Sequence, residues 1–211
     1  MYTFLPLFPL QLVVFPEENL NLHIFEPRYK QLIKECDEEG ISFGIPAVID
    51  GKVKEIGTEI KLLSIEKIYP NGEMDVKTKG IGLIKIVEQY NPAPEKLYIG
   101  ADVEKLKHTT TGDVTINSRI IELVAELFEL LKIRKDPPTD PYILLTYDIA
   151  HYVGFSLKQE YEFLTIPEET ERQLFMRDHL ENMLPMLRDM EMVKQRAQMN
   201  GHFKNIIPPA I

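Results

Sequence analysis

The hydrophobic repeat of this chain changes period near residue 107, and that change constrains the fold more than any other feature. Before it, apolar residues alternate, as in strands with one buried face. In "LNLHIFE" (20–26), Leu20, Leu22 and Ile24 oppose Asn21, His23 and Phe25. Met74, Val76 and Thr78 share one side of their segment, and Leu97, Ile99, Ala101 and Val103 one side of theirs. After it, Ile116, Ile120, Leu123, Leu127 and Leu130 recur at steps of four and three, the stripe of an amphipathic helix. "KHTTTGD" (107–113) is a polar linker. The expected organisation is a β-rich part over 1–107, a helical part over 112–200 and a tail over 201–211.

Each half carries its own punctuation. Asp50-Gly51 and Asn71-Gly72 are hairpin turns, because both dipeptides tolerate positive φ. They join "ISFGIPAVI" (41–49) to "VKEIG", and "TEIKLLSIEKIY" (58–69) to "EMDVKTKG" (73–80). "IGLIKIVEQY" (81–90) and "LYIGADVEKL" (97–106) complete about six strands, a number that suits a curled sheet or small barrel. One helix interrupts them over 27–40, with Pro27 in its first turn, Gly40 at its end, and Tyr29, Leu32, Ile33 and Cys36 on one face. Farther on, Asp140-Pro141 reads as a helix start. Ser156 and Thr165 read as capping-box residues with Gln159 and Glu168. The last helix runs from about Pro167 to near Asn200, and Pro185 inside it kinks it or removes one hydrogen bond.

The fold class expected is therefore α+β, and the composition limits what it does. The 211 residues are 44% hydrophobic and 27% charged, an ordinary globular balance. The opening "LPLFPLQLVVFPEENL" is broken by Pro6, Pro9 and Pro16 and has no basic residue before Arg28, so it reads as neither membrane helix nor signal peptide. The single cysteine, Cys36, sits among acids and forms no internal disulfide, so a reducing, cytoplasmic setting fits. A net charge of −9 opposes a phosphate backbone as partner. A patch of Lys52, Lys54, Lys61, Lys77, Lys79 and Lys85 on the β part is what would revive that reading.

Motifs for chemistry are missing. No phosphate loop, HExxH or GxSxG occurs. The five histidines lack metal-ligand spacing, so neither cofactor nor metal is expected. Glu17-Glu18, Glu38-Glu39 and Glu168-Glu169 read as solvated helix ends. The chain reads as no enzyme, although a polar pocket between the two parts would support one.

Two features point to binding. Met176, Met183, Met186, Met190, Met192 and Met199 crowd the last helix, and methionine suits adaptable apolar contacts. The plainer alternative is a core stripe of Leu180, Met183, Leu184, Leu187 and Met190. The second feature is Phe25-Glu26-Pro27-Arg28-Tyr29, a strand-to-helix corner where Phe25, Arg28 and Tyr29 can meet a ligand. Its plainer alternative pairs Arg28 with a nearby acid and sinks Tyr29 in the core.

The opening resembles the Lon N-terminal, or substrate-binding, domain family. Residues 5–10 (LPLFPL), 13–16 (VVFP) and 22–29 (LHIFEPRY) carry that likeness. "IGTEIKLLSIEKIYPNGEMDVKTKGIGLIKIVE" and "IAHYVGFSLKQEYEFLTIPEETERQLFMRDHL" extend it over about 1–190. The resemblance implies a PUA-like pseudo-barrel with one inserted helix, then a helical bundle ending in a long helix. It implies a role in recognising unfolded or hydrophobic polypeptide, or a protein partner such as a Lon-type ATPase, without hydrolysis. PUA-like folds also imply an alternative, RNA or a small ligand. The chain departs from the family where Gly80-Ile81-Gly82-Leu83 lacks the arginine of Gly-x-Arg-Phe. It also holds neither a Walker loop nor a Ser-Lys peptidase, and so reads as a stand-alone domain.

Overall fold

A computed structural model describes residues 2–202. The expected tail therefore lies, from residue 203, outside the described residues. Six strands come first: β1 (Thr3–Leu7), β2 (Asn19–Ile24), β3 (Phe43–Ile49), β4 (Lys52–Ile68), β5 (Met74–Tyr90) and β6 (Ile99–Leu106). Helix α1 (Pro27–Glu39) is inserted after β2, with Pro27 at its first position and Gly40 in the left-handed conformation at its end. Asp50 and Gly51 both take positive φ in the β3–β4 turn, as a type I′ hairpin needs.

The strand order is β2-β5-β4-β3-β1-β6, and β6 also pairs with β5. That last pairing closes a ring of β5, β4, β3, β1 and β6. It is possible because β5 is 17 residues long. Its first half pairs with β2 and its second half with β6. Leu5, Leu7, Ile84, Ala101 and Val103 fill the ring. The expectation of separate strands on either side of residues 57 and 80 is corrected here. β4 and β5 each run straight through. Gly80 lies so close to the Phe15 carbonyl that an added Cβ would sit 2.5 Å from it. Glycine there marks a close backbone approach, which sequence reading takes for a break.

Two further cores flank the ring. On one side α1 seats Tyr29, Leu32, Ile33 and Cys36 against Phe43, Ile45, Ile60 and Val76. On the other lie helices α2 (Val114–Leu131), α3 (Leu157–Thr165) and α4 (Glu169–His202), with a 3-10 helix over Thr146–Tyr152. Their core is shared with the sheet, since Val13, Phe15, Ala47, Ile49 and Leu83 pack with Leu123, Leu127, Phe163 and Leu180. The β-rich and helical parts are thus joined by one apolar core.

The capping signals fare unevenly. Asp113 accepts from the Thr115 and Ile116 amides and starts α2. Ser156 and Gln159 make the capping box of α3. Asp140 accepts from the Tyr142 amide, but only a single turn follows before the 3-10 helix. Thr165 ends α3 and donates to the Glu162 carbonyl, so it caps nothing at the start of α4. α4 runs through Pro185 without interruption. With no N–H on Pro185, the Glu181 carbonyl loses its helical donor.

Candidate functional site

Five buried polar side chains, Asn117, Thr146, Glu169, Arg172 and Gln173, gather where the linker meets the bundle. Arg172 is fully buried there, although its helix position reads as an ordinary surface one. Its guanidinium donates to Glu169 at 2.6 and 3.0 Å and to the carbonyls of Ile166, Pro167 and Thr109. It also stacks on Tyr147, 4.2 Å from the ring centre. Glu169 in turn accepts from the Thr146 amide at 2.8 Å. Gln173 accepts from the Asp113 amide and donates to Asn117. The linker 107–113 is therefore bolted to the start of α4. Glu169, expected as a solvated helix end, is a buried ion-pair partner instead. Sequence reading missed Arg172, and its only local signal was the i,i+3 spacing from Glu169.

His151 makes the second junction. Its Nδ1 meets Glu160 at 2.7 Å and its Nε2 meets Glu18 at 3.1 Å, while the ring packs on Phe15. Glu18 also accepts from the Phe15 amide and so belongs to a turn, not a helix end. Burial works against the charged imidazole, but the bonds to Glu160 and Glu18 outweigh it and push the pKa up to about 10. Glu18, His151, Asp148, Lys135 and Tyr152 border a cleft of about 390 Å³. This is the pocket between the parts that a catalytic reading requires. Its histidine holds its proton at neutral pH, so it cannot serve as a general base there. No group of His, Cys, Asp and Glu suited to a metal ion occurs among the described residues. Cys36 is buried, and burial with the charges of Glu35 and Glu39 raises its thiol to about 12. A thiol held that far from ionisation is a poor nucleophile.

The corner residues separate. Phe25 is 59% exposed, while Tyr29 is buried and stacked on Phe8 at 3.7 Å. Arg28 reaches Glu26 at 2.8 Å and lies over the Tyr29 ring. The plainer internal arrangement is thus present, and Phe25 and Arg28 remain at the surface beside it.

The methionines separate too, by the face of α4 on which each lies. Met176 is fully buried and Met183 half-buried against the bundle, so the stripe through Leu180 and Leu184 includes Met176. α2 runs alongside α4 through the Arg119–Glu181 and Glu126–Arg188 ion pairs and ends at Leu131, beside Met190 and Glu191. Met186 and Met190 are 67% and 66% exposed, and Met192, Val193 and Leu131 are exposed with them. Placing Met190 in the core stripe is therefore corrected. Leu130 and Glu191 border two shallow clefts here, of about 470 and 360 Å³. Tyr29 and Met176 belong to different cores, so the structure does not bring the corner and the last helix together.

Three of the six lysines singled out in the β part are engaged in ion pairs. Lys77, Lys79 and Lys85 pair with Glu66, Glu17 and Glu55. No helix among the described residues is long and apolar enough to cross a membrane.

This architecture matches a known class. The family model for the ATP-dependent protease La (LON) substrate-binding domain matches residues 4–182. The chain belongs to that family. Among solved structures, it is similar to a Lon N-terminal domain protein from Xanthomonas campestris, with 22% identity and a TM-score of 0.63, over 81% of this chain and 94% of that one. It is similar also to the N-terminal domain of a Mycobacterium avium complex Lon protease, with 15% identity and a TM-score of 0.63, over 85% and 98% of the two chains. At these identities the likeness concerns the fold. Comparison with curated proteins gives no match.

Proposed function

We propose that this protein is a non-catalytic binding module that captures exposed apolar or unfolded polypeptide segments, acting as an adaptor in protein quality control. The observation that carries this reading is the outer surface of the far part of α4, where Met186, Met190, Met192 and Val193 face solvent. Such side chains are retained at a surface where a partner covers them. Thioether side chains adapt to many apolar shapes, as a binder of varied clients requires. Phe25 and Arg28 form a second contact patch, while Tyr29 and Met176 support these elements from inside. The family description, a substrate-binding domain, agrees with a polypeptide ligand. A Lon-type ATPase is the partner that would receive the client. The engaged lysines and the net charge of −9 count against RNA.

The test is fluorescence anisotropy with a labelled, reduced and carboxymethylated ribonuclease as the unfolded probe. The Met186→Ser/Met190→Ser chain should bind it at least about fivefold more weakly, since each exposed thioether contributes part of a buried contact. Its melting temperature should not move. Equal binding by both chains removes α4 from the site, and no binding by either removes the capture reading.

A further inference from the structure

We infer that the open edge of β2 is a strand-addition site, which takes an extended polypeptide backbone with apolar side chains at alternate positions. β2 pairs on one side only, with β5. The Gly80 amide donates to the Glu18 carbonyl, which fixes 18 and 80 as a hydrogen-bonded pair. Such pairs alternate along an antiparallel ladder. Counting by twos, Leu20, Leu22 and Ile24 turn their backbone groups toward β5. The Thr78 hydroxyl accordingly reaches the Leu20 carbonyl at 2.8 Å. Asn19, Asn21 and His23 then turn theirs away from the sheet. All three residues are exposed.

The contrast with the neighbouring edge is what singles out β2. β4 projects past β3, whose pairing ends at Ile60, and so it too has a free edge over 61–68. That edge is interrupted by register shifts at 62–64 and 65–67 and carries Lys61, Glu66 and Lys67. Bulges and charges of this kind are how proteins block unwanted strand pairing. β2 has neither. Its six residues, Asn-Leu-Asn-Leu-His-Ile, include no formal charge and no proline, and its register with β5 is unbroken. An edge left open in this way presents a donor and an acceptor about every 6.8 Å, a pattern that an extended backbone matches.

The faces of the edge select side chains. On one face an added strand lies beside half-buried Leu20 and Leu22. On the other, His23, Asp75 and Lys77 border a shallow cleft of about 350 Å³. The preferred occupant is thus apolar on one face and polar on the other, the pattern of a strand released when a β-rich client unfolds. This inference rests on the capture reading and assigns it a binding mode.

The experiment is amide hydrogen exchange on the whole chain, with and without the carboxymethylated ribonuclease probe. Added probe should protect the Asn19, Asn21 and His23 amides and leave the β2–β5 ladder amides as they were. Asn21→Pro removes an outward N–H without touching the ladder, so it should weaken probe binding about tenfold, the worth of one net backbone hydrogen bond. Asn21→Thr, which keeps the N–H, should bind like the unsubstituted chain. The exchange readout on the unsubstituted chain holds even if Asn21→Pro folds poorly. If the probe binds while these amides stay unprotected, strand addition is wrong and capture stands. If the probe does not bind at all, both fall. Protection that grows with protein concentration alone overturns the inference in favour of edge-to-edge pairing of two copies.

Discussion

His151 links three segments distant in sequence: the turn before β2, the 3-10 helix and α3. Replacing it with leucine keeps the contact with Phe15 and leaves Glu18 and Glu160 without their shared cation. The rise from 6.5 to about 10 sets the size of the effect. Each tenfold in proton affinity is worth about 1.4 kcal/mol, so the unscreened ceiling is near ~5 kcal/mol. The ring is 34% exposed, and solvent screening reduces the expected loss to about 2 kcal/mol. For a chain of this size that lowers the melting temperature by roughly 4–8 °C. The pH dependence is the sharper signature. A group whose pKa is raised on folding contributes fully below its unfolded value, here 6.5. The contribution declines above that and is gone once the pH passes about 10. Urea unfolding of both chains at pH 6, 8 and 10.5 is the assay. The gap between them should be widest at pH 6 and close at 10.5. A gap that stays constant, or widens with pH, refutes the charged clamp and leaves His151 as simple packing.

Two further predictions concern groups already fixed in the interior. Arg172→Met should cost about 3–5 kcal/mol, because it leaves Glu169 buried without its cation and takes the guanidinium donors from the Ile166 and Thr109 carbonyls. Arg172→Lys should restore little, since one ammonium cannot reproduce the fork or the stack on Tyr147; thermal denaturation that places Arg172→Met within about 1 kcal/mol of the parent would sink the bolt. Cys36 should resist iodoacetamide at pH 8 in the folded chain and react fully in urea, as read by intact mass; rapid native labelling would contradict a thiol held near 12.

Much of the fold was legible because local signals and the final burial agree. Leu20, Leu22 and Ile24 face inward while Asn21, His23 and Phe25 face out, as strict alternation requires. Pro27 and Gly40 bound α1 for local steric reasons that need no tertiary partner. The ring closure was not legible. It depends on the second half of β5 meeting β6, and nothing in "IGLIKIVEQY" records which strand lies beside it. Gly57 and Gly80 looked like breaks because a glycine that admits a neighbouring backbone is written the same way as one that ends a strand.

The candidate site shows the same division, and the reason is which face of α4 each residue takes. Met176, Leu180, Met183, Leu187 and Met190 share one helical period, and Met186 lies off it. What distinguishes the members of that period is how closely the bundle packs opposite. α2 flanks α4 as far as the Glu126–Arg188 pair; Met176 and Leu184 are buried, whereas Met186 points away and Met190, beside the end of α2 at Leu131, is left exposed. Arg172 reverses the lesson. It reads as a surface charge and is buried, because the linker carbonyl of Thr109 that helps to hold it arrives from 63 residues away. Both errors have one physical source. Periodicity reports the face a helix could bury, and only the tertiary neighbours of each position decide how that face is used. The surfaces proposed here for binding, the outer face of the far part of α4 and the open edge of β2, are places where an element has one side without a neighbour. A client that covers either would complete a layer that the chain itself leaves unfinished.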